Sequence, residues 1–132
     1  MRSCNINWRL TDDRGTTAVE FAIIAPAMVM LLVGIMSLSL MLFAIGSMHF
    51  AVEDAARCAS ARPTVCSSAA TTVAYAQSRY SGAFATPVFT YATAACGYQV
   101  SASVTFTFDV GMYQQSVPLS ATSCFPVPST GF

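Results

Sequence analysis

The apolar and polar positions of this chain fall into three textures. Between Phe21 and Val52 there is no formal charge, and the richest part, FAIIAPAMVMLLVGIMSLSLMLFAI from Phe21 to Ile45, is apolar almost throughout. At about 1.5 Å per residue this stretch makes a helix of roughly 37 Å, longer than the ~30 Å hydrocarbon layer of a bilayer, and it predicts a tilted transmembrane helix. Beyond Ile45 the pattern turns amphipathic. Val52, Ala55, Ala56 and Ala59 recur at the spacing of one helical face while Glu53, Asp54 and Arg57 lie elsewhere, so the helix is expected to run on until Pro63 ends it. A shorter helix is predicted from about Ser68 to Tyr80, with Ser67 as its cap and Ser81-Gly82 as its stop.

From Phe84 the texture becomes β. Tyr98, Val100, Ala102, Val104, Phe106, Phe108 and Val110 alternate with Gln99, Ser101, Ser103, Thr105, Thr107 and Asp109. This period of two describes a strand with one packed and one wet face, as in an antiparallel sheet covered on one side by helices. Flanking strands are expected near Pro87 to Thr93 and Val117 to Ser123, where Pro87 and Pro118 favour strand starts or edge strands. The tail from Phe125 to Phe132 reads as irregular. The fold class is therefore α+β: a long amino-terminal transmembrane helix, then a small domain with a short helix and a three-stranded antiparallel sheet.

Composition sharpens this picture. The 132 residues are 55% hydrophobic and 9% charged, far below the roughly 25% charge of a soluble domain. That is room for one small domain and one membrane segment. Six Arg, with no Lys, balance six Asp and Glu, so no basic field exists to hold a phosphate backbone and nucleic acid is not an expected partner. A soluble domain this small could hardly surround the apolar helix. A secretory signal peptide is disfavoured as well, because the run is too long for its apolar region and the small-residue stretch Ala59-Ser60-Ala61 lies well beyond it.

Arg2, Arg9 and Arg14 precede the apolar run, and Arg57 and Arg62 follow it, which favours a cytoplasmic amino terminus only slightly. Cysteine says more. Cys4 lies before the run, whereas Cys58, Cys66, Cys96 and Cys124 all follow it, an even set that suits two disulfides in an oxidising compartment. No C-x-x-C pair suggests zinc. Of the three connectivities open to four cysteines, position favours Cys58 with Cys66, closing the helix end around Pro63, and Cys96 with Cys124, tying strand ends together. A domain of this size is marginal without such staples.

Catalytic residues are not expected. The only histidine, His49, lies at the outer end of the apolar helix beside Phe50 and reads as an interface residue, and Asp109 reads as a solvated strand residue. There is no Gly-rich phosphate loop, paired-carboxylate motif or H-E-x-x-H. Met28, Met30, Met36, Met41 and Met48 suit lipid contact and packing better than a metal site, and Trp8 suits the cytoplasmic interface. Neither a metal nor a cofactor is implied.

One local pattern is unusual for a plain anchor. Arg14-Gly15-Thr16-Thr17-Ala18-Val19-Glu20-Phe21 stands directly before the apolar run and puts a carboxylate at the edge of the bilayer. An ionised acid inside a membrane costs about 2.5 to 3.5 kcal/mol or more. Glu20 could rest at headgroup level in the first helical turn, where the helix dipole favours an anion. The run RGTTAVEFAIIAP, the Gly34-Ile35 pair and the continuation AVEDAARCASAR nevertheless resemble the TadE-like and related TadG-like pseudopilins of tight-adherence pili, over about the first 62 residues. Cys58 departs from that pattern, where a small or polar residue would be expected.

The resemblance implies a hydrophilic leader, residues 1–15, cut after Gly15 by a prepilin peptidase, with Thr16 as the first mature residue, Glu20 the fifth and Phe21 the sixth, and with Pro26 at a position where such proteins commonly carry one. It implies a minor pilin or pseudopilin in the bacterial inner membrane or in a surface pilus, with other pilins, the pilus assembly machinery and the lipid bilayer as partners. Residues 16–46 would be the transmembrane helix and 47–132 a periplasmic domain. The cut would free an amine at Thr16 that Glu20 of a neighbouring subunit could neutralise, removing the cost of each charge alone. It would also discard Cys4, leaving no odd thiol, and leave three Arg against four acids. The residues alone leave a second reading open: an uncleaved single-pass anchor whose outer domain binds a partner or ligand.

Overall fold

The computed structural model describes residues 13–82, 85–110 and 113–127. Cys4, Trp8, most of the proposed leader and the end of the tail lie outside them, as does the side chain of Asp109. The chain forms two compact units, residues 1–36 and 37–132. Its first element is helix α1, Asp13–Ala61, which carries Pro26 inside it. Proline has no N–H, so the carbonyl of Ala22 lacks its usual partner there.

In the first unit, every side chain described from residue 15 to 36 is exposed except that of Ala25, which is half-buried. Phe21, Ile23 and Met30 are each more than 70% exposed. A core helix of a soluble protein would have a covered face. This one carries its apolar groups uncovered over a length sufficient to cross a bilayer.

The second unit is α+β. It holds the carboxyl-terminal part of α1, helix α2 (Ala69–Arg79), and strands β1 (Val88–Ala94), β2 (Gly97–Val110) and β3 (Tyr113–Phe125) in one antiparallel sheet of order β1-β2-β3. The alternation in β2 does what its period requires. Val100, Ala102 and Phe106 are buried against Met48, Ala51, Val52, Ala55 and Ala56 of α1 and Ala76 of α2, while Ser103, Thr105 and Thr107 are exposed. The face Val52-Ala55-Ala56-Ala59 is the buried face of α1, with Glu53 and Arg57 outside it.

Two boundaries differ from the sequence reading. The cap of α2 is Ser68, not Ser67: its Oγ accepts from the N–H of Thr71, and the Thr71 hydroxyl accepts from the Ser68 N–H at 2.9 Å. A cap at Ser67 would put Ala70 in the reciprocating position, and alanine has nothing to return. Strand β3 also reaches further than Val117–Ser123 at both ends. Pro118 sits inside it without ending it, because β3 is an edge strand with one side free of a ladder partner. One glycine is obligatory. Gly97, after the two-residue turn Ala95-Cys96, has φ 123°, and a β-carbon on it would collide with the carbonyl of Phe125.

Candidate functional site

Gly15, Thr16, Glu20 and Phe21 all lie in the first turns of α1. Gly15 is therefore helical, and a peptidase that needs extended backbone has to open the helix there. Glycine lowers the cost of doing so by about 1 kcal/mol relative to alanine in a helix interior. A β-carbon at Gly15 would meet no atom within 4 Å. Thr16 and Glu20 are four residues apart and share a helix face. Glu20 is exposed and makes no ion pair among the described residues. Phe21 follows it, 73% exposed, and Pro26 is exposed one turn further on.

The cysteines belong to the second unit. Cys58 is bonded to Cys66 across the end of α1, with both residues buried, and Cys96 is bonded to Cys124, joining the β1–β2 turn to the last strand. Cys96 is exposed and Cys124 half-buried. His49 and Phe50 are exposed on α1. Among the described residues no three His, Cys, Asp or Glu gather as a metal site.

A polar cluster that the sequence reading did not find locks α2 to α1. Tyr75 donates its hydroxyl to Asp54 Oδ2 at 3.0 Å and accepts from Arg79 at 2.8 Å and Arg62 at 3.1 Å. Arg79 Nε also lies 3.0 Å from Asp54 Oδ2, and both guanidiniums stack over the Tyr75 ring. The hydrogen bond to Tyr75 first, and the nearby charge of Asp54 after it, raise the Arg79 pKa above its ordinary value. The available signal was the pair Tyr75 and Arg79, four residues apart on one face of α2. On the adjoining turn Arg57 pairs with Glu53 and covers the Phe125 ring at 5.1 Å.

Tyr80 ends α2 with its hydroxyl buried and without a partner among the described residues. Its ring packs edge-on to Phe89, 6.3 Å between centroids, and Gly82 leaves the room it occupies. Burial raises its pKa above 10. The unfolded chain ionises this group first, so its contribution is intact below pH 10 and is lost as pH rises past that value. Tyr80→Phe is expected to keep or slightly raise stability at pH 7 and to flatten the fall above pH 10 in urea titrations. An unchanged alkaline fall would remove Tyr80 as its source.

An uncovered apolar helix joined to a small, doubly disulfide-bonded α+β unit defines a single-helix membrane-anchor type of protein. No curated protein and no solved structure matches the chain. Residues 15–57 do match the family model of the TadE-like protein, so this segment, from Gly15 to Arg57, is TadE-like. The match ends before Cys58, and the second helix and the sheet lie outside it.

Proposed function

We propose that the chain is a minor pilin or pseudopilin of a tight-adherence-type pilus. It is made with residues 1–15 as a cytoplasmic leader, cut after Gly15 by a prepilin peptidase, and held in the bacterial inner membrane by the helix within residues 16–46. Residues 47–132 then stand in the periplasm, an oxidising compartment that suits the two disulfides. What carries the reading is the placement of Gly15, Glu20 and Phe21 at the amino-terminal end of an uncovered apolar helix, within the stretch that is TadE-like.

The chemistry follows from the spacing. Cleavage creates an ammonium at Thr16, and Glu20 supplies a carboxylate one helical turn away, both at the edge of the lipid. Neither charge is tolerable deeper in the bilayer alone, and pairing between adjacent subunits lets the helix slide into a bundle. Glu20→Ala is expected to leave the cut at Gly15 intact and to reduce in vivo crosslinking to neighbouring pilins about tenfold, the equivalent of about 1.4 kcal/mol. Crosslinking equal to the parent would remove Glu20 from assembly.

A further inference from the structure

The two disulfides stand in opposite surroundings. Cys58 and Cys66 are buried with Ala59 and packed by Tyr75, Tyr91 and Tyr98, the last two stacked with 6.0 Å between ring centroids. The ring this bond closes is also tied from within. The Arg62 N–H donates to the Cys58 carbonyl at 2.8 Å, and the Cys66 N–H to the Arg62 carbonyl at 3.0 Å. A thiolate has to displace that packing before it can reach either sulfur.

Cys96 and Cys124 lie on the wet side of the sheet. Cys124 is the register partner of Gln99 and stands two residues from Thr122, whose hydroxyl donates to Ser101 at 3.1 Å. Its side chain therefore shares the face of the exposed Ser103, Thr105 and Thr107, opposite the face that packs on the helices. Cys96 is exposed in the turn between β1 and β2, with Ala95 before it and Gly97 after it. No side chain larger than a methyl group flanks its sulfur along the chain. Charge offers no obstacle either. From Phe84 to Phe108, and along all of β3, the sequence has no charged residue, so those segments hold no carboxylate to repel an incoming thiolate.

We infer that the Cys96–Cys124 disulfide is an exchange site for an external protein dithiol, which opens and recloses this end of the sheet while the Cys58–Cys66 bond stays closed. A thiolate of the dithiol attacks Cys96 Sγ, the more exposed sulfur, and forms a mixed disulfide with it. The Cys96–Cys124 bond breaks, and Cys124 leaves as a thiolate that takes up a proton. The second thiol of the dithiol then attacks its own partner sulfur in the mixed disulfide and releases Cys96. The domain's disulfide gains two electrons, the dithiol becomes a disulfide, and the two protons it gives up end on Cys96 and Cys124. The reverse sequence reseals the bond.

Opening it frees the β1–β2 turn from the last strand without touching the closed ring at the end of α1. The domain thus has one permanent bond and one that an outside protein can operate. This inference goes beyond the pilin reading and does not depend on processing at Gly15.

The test uses the full chain in detergent, with Cys4 first blocked by N-ethylmaleimide. Reduced thioredoxin, as a protein dithiol, and dithiothreitol are added in separate samples, and the thiols released over time are capped with iodoacetamide and located by mass mapping of chymotryptic peptides. Cys96 and Cys124 are expected to be capped about tenfold sooner than Cys58 and Cys66 with either reagent, and oxidised glutathione to restore the same pair. In a third sample reduced glutathione, a monothiol, is expected to be trapped on Cys96 with Cys124 capped. Equal rates for the two pairs, the mark of reduction through global unfolding, overturn the inference, as does earlier capping of Cys58 and Cys66. Opening by dithiothreitol but not by thioredoxin overturns the protein partner, and glutathione trapped on Cys124 overturns the point of attack.

Discussion

Replacing Cys96 and Cys124 together by Ala is expected to lower the unfolding free energy of the outer domain by about 3.5 kcal/mol. The bond closes a sequence separation of 28, and the chain-entropy relation gives that value at room temperature, against about 2.5 kcal/mol for the separation of 8 between Cys58 and Cys66. A domain of this size holds on the order of 4 to 13 kcal/mol in total, so the loss is a large share. The location matters as well as the loop length. Without the bond, the β1–β2 turn and the end of edge strand β3 keep the ladder, the Arg57 contact with the Phe125 ring and the hydrogen bond from Ser60 to the Pro126 carbonyl. Urea unfolding of the full chain in detergent, followed by tyrosine emission, measures the change. A loss below about 1 kcal/mol would show that the noncovalent contacts hold this end of the sheet without the bond.

The second large effect concerns the amino-terminal end. Co-expressed with a prepilin peptidase, the parent chain is expected to begin at Thr16, and Gly15→Val to retain its head, with cutting slowed tenfold or more, equivalent to a barrier raised by about 1.4 kcal/mol or more. Two physical effects add. A β-branched side chain obstructs close approach to the scissile bond, and it removes the conformational freedom that lets glycine leave the helix. Since a β-carbon at Gly15 meets nothing within 4 Å, the variant should fold as the parent does, and altered processing can be assigned to the site itself. Mass analysis of the membrane-extracted chain reads the result directly. Parent protein that still begins at Met1 would leave the single-pass anchor with a partner-binding domain.

Sequence periodicity was a good guide wherever a residue's surroundings decide its type. The strict alternation in β2 and the 52-55-56-59 face of α1 exist because one side of each meets the core, and both are visible in the letters alone. The length of β3 was not, since serine, glutamine and Pro118 are poor strand signals and only pairing with β2 holds them extended. The cap of α2 was missed by one residue because two serines stand side by side and only the reciprocal partner Thr71 distinguishes them. Burial of Ala44 and Met48 could not be seen either, for a lipid tail and a protein core ask for the same side chains. Within the candidate site, Gly15, Glu20 and Phe21 were legible as a spacing. The Asp54, Tyr75, Arg62 and Arg79 cluster was not, because its members come together only once α2 packs against α1.

The bond between Cys58 and Cys66 makes the long helix asymmetric in how it can melt. Unravelling from its carboxyl end halts within a turn, because the cross-link holds the last turn and the Pro63 bend in one closed ring. Toward the opposite end the described residues hold Gly15 and no such clasp. Opening of the described helix from its carboxyl end is thus confined to less than a turn, so melting has to start elsewhere along it.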